Sequence, residues 1–269
     1  MEQKDIKVVV IGDFSMRGSG YLNISAPLCN GLFHQGFQIK VFGMGYTGEQ
    51  HPYDFSIIPT KSVQEIRAML DNFQQLWKPD VVIVAMDIPY QQLMLEMTMK
   101  TNTPQICITA IENGPLCFTW ALVLQQMKKV FIISQLGVDE CAKKGVETEH
   151  LFVGIDTKAW RKAVVGEKEK IRESLGIGKD EFVILTVADN QERKNLGKAF
   201  EIVGKFKKTV KSQIRYVLVT REHSKVGWKL RDLAVDFGIN TNLMLLERGM
   251  SFQQLWGIYI MSDAFLLTS

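Results

Sequence analysis

The sequence predicts an α/β protein whose strands form parallel sheets. Short apolar runs recur along the 269 residues, and segments of helical length that combine polar and apolar residues separate them. This alternation is typical of βαβ units, in which a helix connects two parallel strands. The run at 182–187, FVILTV, carries no charge, which suits a strand that helices cover on both faces.

The elements follow in chain order from these runs. The predicted strands are 6–11, 39–42, 81–85, 105–109, 130–134, 150–153, 182–187, 215–220, 242–246 and 264–267. The predicted helices are 20–35, 62–77, 116–127, 195–209, 225–237 and 251–261. Connections between neighbouring parallel strands should be right-handed.

One stretch interrupts the alternation and predicts a domain boundary. Residues 157–179 are rich in charge and contain no predicted strand. The chain length fits two domains of roughly 100–150 residues each. We therefore expect two tandem Rossmann-like domains, 1–165 and 166–269, with a cleft between them. Ligands of such sheets bind outside the carboxyl ends of the strands.

Composition narrows the classes of partner and compartment. The formal net charge of +3, from 32 basic and 29 acidic residues, is too small to indicate nucleic-acid binding, and no motif for it is present. The cysteines at 29, 107, 117 and 141 are irregularly spaced, as expected for reduced thiols. No apolar run approaches the ~18 residues that cross a bilayer. These features predict a cytoplasmic protein, with contact to a membrane surface left open.

Several enzyme classes lack their sequence motifs. The histidines at 34, 51, 150 and 223 are far apart and show no metal-ligand spacing. The chain has no HExxH, no GxSxG and no P-loop motif. We therefore expect no metal site, and the chain offers little support for a metalloenzyme, a serine hydrolase or a P-loop NTPase.

The loop after strand 182–187 carries the strongest functional signal. It brings Arg193 and Lys194 to the start of a helix near Asn195, where backbone N–H groups lack helical partners. Both features attract anions and phosphate above all, so we expect a phosphate-bearing ligand at this edge of a parallel sheet. The alternative is a pair of surface cations that bind Glu192 or Glu201.

Two loops of the first domain are further candidates. Gly18, Ser19 and Gly20 follow the first strand, and their small size would let a ligand approach the backbone, although a plain turn explains them equally well. Glu112 follows strand 105–109, where a carboxylate can orient sugar hydroxyls or transfer a proton. A role in stabilising the loop is the alternative for Glu112.

Two loops of the second domain share the same topological position. Thr220, with Arg221 and Glu222 behind it, follows strand 215–220, and Arg248 and Gly249 follow strand 242–246. Each loop alone is a weak signal, but all of them fall at the carboxyl ends of predicted parallel strands. This shared location favours a common binding site.

Four passages stand in sequence along the chain: KKVFIISQLGVDECAKKGVETEHLFVGIDTKAW, FVILTVADNQERKNLGKAFEIV, RYVLVTREHSKVGWKLRDLAVDFGI and LLERGMSFQQLWGIYIMSDAFLLTS. Their order resembles that of the GT-B glycosyltransferases, in particular the large retaining family 4. The resemblance covers essentially the whole chain. It implies a nucleotide-sugar donor bound mainly by the second domain, retention of anomeric configuration, and neither a metal nor a cofactor beyond the donor.

The resemblance also implies roles for individual residues. Lys194 matches a lysine that binds the donor diphosphate, while Asp189 stands where the family has an arginine, which neighbouring Arg193 could replace. Residues 18–20 loosely match the glycine loop near the donor phosphates. Glu112 stands where many members have a histidine. The acceptor, whether a glycan, a lipid or a protein, is not identified.

The chain departs from the family pattern at its end. Family members continue into an acidic E-x7-E segment, whereas this sequence stops at Thr268 and Ser269. The resemblance therefore predicts a truncated chain whose second domain is incomplete at its C-terminus. The alternative function is a catalytically inactive GT-B-like protein that binds a nucleotide or a glycan, and a sugar epimerase or a phosphorylase of the same fold also remains open.

Overall fold

The computed structural model of the protein describes residues 5–15 and 20–269. The chain divides into two compact units, Met1–Gly154 and Ile155–Ser269. Each unit is built on a parallel sheet with connecting helices, so the predicted fold class, two tandem Rossmann-like α/β domains, is confirmed. The predicted boundary at residue 165 precedes the first helix of the second unit, and as a limit between functional domains it stays a prediction.

The first unit alternates strands and helices. Its elements are β1 (Lys7–Asp13), α1 (Leu22–His34), β2 (Gln38–Met44), β3 (Ile57–Thr60), α2 (Val63–Leu76), β4 (Val81–Ala85), α3 (Ile88–Lys100), β5 (Gln105–Thr109), α4 (Phe118–Gln125), β6 (Lys129–Ile132), α5 (Gln135–Ala142) and β7 (Glu149–His150). Among the described residues the strands form one seven-stranded sheet in the order β3-β2-β1-β4-β5-β6-β7.

Helices cover both faces of this sheet, which explains why the middle of β1 carries no charged residue. Successive side chains of β1 point to opposite faces, as the period of a strand requires. Val8 and Val10 pack into a core that includes Cys29 of α1, whereas Val9 and Ile11 pack into a second core with Ile66 of α2. Burial on both faces leaves no position in the middle of β1 for a charged side chain.

The second unit repeats the same plan with fewer strands. Its elements are α6 (Glu167–Ser174), β8 (Phe182–Val187), α7 (Leu196–Thr209), β9 (Ile214–Thr220), α8 (Leu230–Asp236), β10 (Leu243–Glu247), α9 (Phe252–Met261) and β11 (Ala264–Phe265). The described strands form a four-stranded parallel sheet in the order β10-β9-β8-β11. As in the first unit, its two faces pack into separate cores.

Serine side chains define where three of the helices begin. Ser62 accepts a hydrogen bond from the Glu65 N–H at the start of α2, at 3.2 Å. Ser134 does the same for α5, and Ser251 forms a capping box with Gln254 at the start of α9. Such caps satisfy N–H groups that lack a helical partner.

None of the described helices is both long and apolar enough to cross a membrane.

The structure contains elements that the sequence patterns did not predict. Strand β3 has only four residues and includes Pro59. Helix α3 buries residues on several sides, so it lacks the alternation of polar and apolar faces that reveals a surface helix. Helix α8 begins at Leu230 instead of near residue 225, because the residues before it form a loop.

Candidate functional site

Charged side chains from three neighbouring strands meet at the carboxyl edge of the second sheet. Asp189 follows β8, Arg221 follows β9 directly, and Arg248 follows β10 directly. Since β10, β9 and β8 lie side by side and run parallel, their carboxyl ends are adjacent. We call Asp189, Gln191, Arg221 and Arg248 the Asp189 cluster.

The Asp189 carboxylate is the centre of this cluster. Arg221 binds it with both arms of its guanidinium, Nε to Oδ1 at 2.8 Å and Nη2 to Oδ2 at 2.5 Å. Arg248 adds a contact from Nη1 to Oδ1 at 3.2 Å, and the Gln191 amide donates to Oδ2 at 3.0 Å. The arginine side chains remain 45% and 27% exposed, so a ligand in solution can reach them.

The ionisation of the cluster follows from these contacts. Partial burial works against the charged form of Asp189, but the hydrogen bonds and charges of Arg221 and Arg248 outweigh it, so the pKa of Asp189 lies below its ordinary value. The hydrogen bond to Asp189 raises the pKa of Arg221. Asp189 is therefore ionised at neutral pH, and the guanidinium groups of Arg221 and Arg248 share this one anion.

The two cations predicted from the sequence lie beside this cluster on a short 3-10 helix, Glu192–Lys194. The Arg193 Nε donates to the Gln191 side chain at 3.2 Å, which connects it to Asp189. No carboxylate of the described residues forms an ion pair with the half-buried Lys194, and Glu201 pairs with two other lysines of α7 instead. The Lys194 ammonium is therefore available to an anion.

The chain enters α7 through a residue with an unusual backbone. Asn195 has φ of +46° and precedes the first residue of the helix. Asparagine and glycine tolerate this left-handed conformation better than other residues. The turn places the backbone N–H groups that begin α7 directly after the two cations, as the anion-binding prediction requires.

Asn190 holds the loop after β8 against the loop after β9. It is fully buried, and its Nδ2 donates to the backbone oxygens of Glu222 at 3.2 Å and Trp228 at 3.0 Å. Its Oδ1 accepts the Trp228 N–H at 2.8 Å. A Cβ at Gly227 would lie 2.5 Å from Asn190 Oδ1, so this position requires glycine. The loops that carry the cations are thus fixed relative to each other.

Two further predicted residues lie at the same edge in different surroundings. Thr220 ends β9 and is 1% exposed, and its hydroxyl has no hydrogen-bond partner among the residues that the structure describes. Gly249 has φ of +92°, a conformation that favours glycine, at the turn between β10 and α9. The assignment of either residue to a ligand stays a prediction.

In the first unit, other residues hold the loop that carries Glu112. The Ser134 hydroxyl donates to the Ile111 oxygen at 2.8 Å, and the Leu116 N–H donates to the Glu140 carboxylate at 3.1 Å. Gly114 lies so close to that carboxylate that a Cβ would come within 2.7 Å of its carbon. These anchors fix the loop, while the Glu112 side chain is exposed at its surface.

Tyr21 joins three loops at the carboxyl edge of the first sheet. Its hydroxyl donates to Asp87 at 2.8 Å and accepts the Ala110 N–H at 3.1 Å. Burial raises the pKa of Tyr21 well above its ordinary value. Gly20 precedes it in an exposed turn where a Cβ would meet no atom within 4 Å, and the predicted residues Gly18 and Ser19 lie outside the described residues.

Local sequence patterns do not assign every residue of this arrangement to the site. They indicate Arg221 only as part of a polar loop, and they do not indicate Asn190, Gln191 or Tyr21. Arg221 and Asp189 are 32 positions apart, so only the adjacency of β8 and β9 brings them together. The sequence signal for these arginines is an arginine directly after an apolar run, which occurs at Arg221 and again at Arg248.

The described residues were also searched for metal-binding groups and for cavities. No group of three or more histidine, cysteine, aspartate or glutamate side chains among them could hold a metal ion. A cavity of about 780 Å³ lies between α6 and α9, with Ile171, Trp256 and Ile258 among its lining residues. No member of the Asp189 cluster lines that cavity.

Comparisons with solved structures show the fold. HepE of Anabaena, solved with UDP and glucose, aligns with a TM-score of 0.73 at 13% identity over 98% of this chain and 74% of its own. A glycosyltransferase from Rickettsia africae aligns with a TM-score of 0.71 at 14% identity, and the alignment covers 97% of this chain and 72% of that protein. A UDP-N-acetylglucosamine 2-epimerase from Rickettsia bellii aligns with a TM-score of 0.61 at 12% identity, and the alignment covers 93% of this chain and 71% of that protein. No protein-family model and no curated protein matches the sequence.

Proposed function

We propose that the protein is a glycosyltransferase that binds a nucleotide-sugar donor at the carboxyl edge of its second sheet. The observation that carries this proposal is the meeting of Arg221 and Arg248 at Asp189, at the ends of adjacent parallel strands, with Lys194 on the turn that follows Gln191. The fold similarity supports it, since HepE of Anabaena has been solved with UDP and glucose and with UDP-glucose. These cations match the charge of a nucleoside diphosphate.

The chemistry of the transfer explains why cations are needed there. Breaking the bond between the sugar and the phosphate builds negative charge on the departing nucleoside diphosphate. Lys194, Arg193 and the backbone N–H groups at the start of α7 can stabilise that charge without a metal ion. Loss of one such contact typically slows a reaction by ~10²–10³. Retention of configuration is part of the proposal and rests on the family resemblance.

Glu112 is the candidate for the acceptor side of the reaction. An exposed carboxylate in a fixed loop can accept a proton from, or orient, a sugar hydroxyl. We assign it to the acceptor because it belongs to the first unit, whereas the cations that would bind the donor belong to the second unit. The acceptor itself is an alcohol-bearing glycan, lipid or protein.

One observation favours a second candidate, a catalytically inactive protein that binds a nucleotide. Asp189 stands where the resemblance places an arginine, and its negative charge offsets part of the positive charge at the edge. Weaker stabilisation of the leaving group would slow transfer more than it would weaken binding of the nucleotide.

Turnover of UDP-glucose tests the proposal and separates the two candidates. We expect the full chain to release UDP from UDP-glucose by transferring the glucosyl group to water, which takes the place of the acceptor alcohol, and Lys194→Ala to lower the rate at least about tenfold. Lys205→Ala is the matched control, because Lys205 lies on the exposed face of α7 and pairs with Glu201. UDP binding without release would indicate the inactive binding protein, and equal rates for both variants would remove Lys194 from the site.

A further inference from the structure

The Asp189 carboxylate lies between two arginines and binds both of them. Arg221 binds it with two parallel hydrogen bonds, and Arg248 approaches one of the same oxygens. Guanidinium groups bind carboxylates and phosphates with this same two-pronged geometry. The protein therefore presents an anion site at the edge of the sheet, filled by one of its own side chains.

Other ion pairs of the second unit show how this one differs. Arg215 binds Glu181 with the same two-pronged geometry, but it is one arginine for one carboxylate. Asp263 is also shared by two cations. It differs from Asp189 because it accepts a backbone N–H, that of Val183, and because one of its cations, Arg172, has a side chain that is only 8% exposed. Those contacts have a structural role at the opposite end of β8.

The contacts of Asp189 can be exchanged without disturbing the main chain. Every hydrogen bond that the described residues donate to its carboxylate comes from a side chain, from Arg221, Arg248 or Gln191. The strands that precede both arginines are held in the sheet, and Asn190 holds the loop that follows Arg221. A ligand could therefore replace the carboxylate while the guanidinium groups remain in place.

We propose, on the basis of the proposed function, that Arg221 and Arg248 bind the diphosphate of the donor and that the diphosphate displaces Asp189 from them. These arginines would supply the charge that the resemblance expects from an arginine at position 189. Asp189 then acts as a competing anion built into the site.

This arrangement selects the ligand by its charge. A ligand displaces the Asp189 carboxylate only if its contacts with the two arginines are more favourable than those of the carboxylate. A diphosphate can contact both arginines and still reach the cations of the 192–194 turn, whereas a single phosphate offers little beyond what Asp189 already supplies. Asp189 thus raises the selectivity for diphosphates over monophosphates and lowers the affinity for both.

Calorimetric titration of the full chain with inorganic pyrophosphate, orthophosphate and UDP tests the inference. Asp189→Asn should bind pyrophosphate at least about fivefold more tightly than the wild type, and its preference for pyrophosphate over orthophosphate should fall. Asp189→Ala should change affinity in the same direction. Glu181→Gln is the matched control, because it removes one charge from a two-pronged arginine pair at the other end of β8, and its affinities should stay within about twofold of the wild type. Circular dichroism checks that each variant is folded.

The arginines require a second comparison. In the Asp189→Asn background, Arg221→Gln or Arg248→Gln should weaken pyrophosphate binding at least about tenfold. Unchanged affinity in these double variants would overturn the inference, as would equal or weaker binding by folded Asp189→Asn. If UDP binds the wild type but Asp189→Asn binds no more tightly, only this inference fails. If UDP binds neither protein, the proposed nucleotide-sugar site fails with it.

Discussion

At the scale of single residues, the backbone conformation of Asn195 determines how the chain passes from the cations into α7. Its positive φ of +46° places the helix start directly behind Lys194. The sequence predicted this helix start from the pattern of apolar residues, but a left-handed residue has no periodic signal. Asparagine is one of few residues that adopt this conformation at low cost.

Substitutions at position 195 test this interpretation. Asn195→Gly should leave the free energy of unfolding nearly unchanged, because glycine adopts positive φ readily. Asn195→Val should lower it by about 1–2 kcal/mol, since a β-branched side chain is strained in this region. Urea denaturation followed by circular dichroism measures both, and equal stability of the two variants would contradict the backbone assignment.

The site could be predicted from the sequence only where its signals are local. Arg193 and Lys194 stand between an apolar run and a helical pattern, so their position was clear without a structure. The pairing of Asp189 with Arg221 and Arg248 depends on which strands are neighbours, and no local pattern carries that information. Asn190 was missed for a similar reason, because its partners Glu222 and Trp228 lie on another loop.

At the scale of elements, buried arginine Arg172 ties α6 to the second sheet. Its guanidinium donates to the Met261 oxygen at 2.9 Å, to the Glu181 oxygen at 3.1 Å and to Asp263 at 2.6 Å. Asp263 also binds Lys168 and accepts the Val183 N–H. Burial alone would raise the pKa of Asp263, but these contacts outweigh it and the pKa lies below its ordinary value.

The lowered pKa of Asp263 predicts how stability depends on pH. Because the folded-state pKa is below the unfolded value of about 3.9, the stabilisation is present above about pH 4 and is lost as pH falls through the folded-state pKa. Asp263→Asn should lower the free energy of unfolding by about 1–3 kcal/mol at pH 7.

The same comparison at low pH supplies the control. The difference between Asp263→Asn and the wild type should shrink as the pH of the urea titrations is lowered below about 4, because the wild-type carboxyl group then becomes neutral as well. A difference that stays constant from pH 7 to pH 3 would show that the carboxylate charge does not stabilise this part of the fold.

Three buried strands were predicted to the residue, whereas two helices were missed or predicted with wrong bounds. The bounds of β4, β5 and β8 agree with the uncharged runs at 81–85, 105–109 and 182–187. Helix α3 was missed because it buries Ile88, Met94, Leu95 and Met97 together, which leaves a narrow polar side. Helix α8 was predicted too long because the loop before it is held by the distant Asn190.

At the scale of the whole molecule, the chain has the same fold as solved structures whose amino-acid sequences differ from it at most positions. Solved structures with 12–14% identity align over at least 93% of the chain. The likeness is one of fold, with TM-scores of 0.73, 0.71 and 0.61. The alternation of strands and helices predicted that architecture, because it follows from hydrophobic pattern alone.

Function depends on far fewer positions than the fold does. Solved structures of similar fold include a glycosyltransferase and an epimerase, so the architecture alone selects no reaction. We propose that the distinguishing chemistry of this chain lies at the ends of β8, β9 and β10, where the diphosphate of a nucleotide sugar binds.

A crystal structure of the protein with bound UDP tests this claim most directly. We expect the diphosphate at the carboxyl edge of the second sheet, with phosphate oxygens within hydrogen-bond distance of Lys194, Arg221 and Arg248 and with Asp189 turned away from the arginines. UDP bound in the cavity between α6 and α9, or at any place that leaves these three cations without contact to phosphate, would contradict the account.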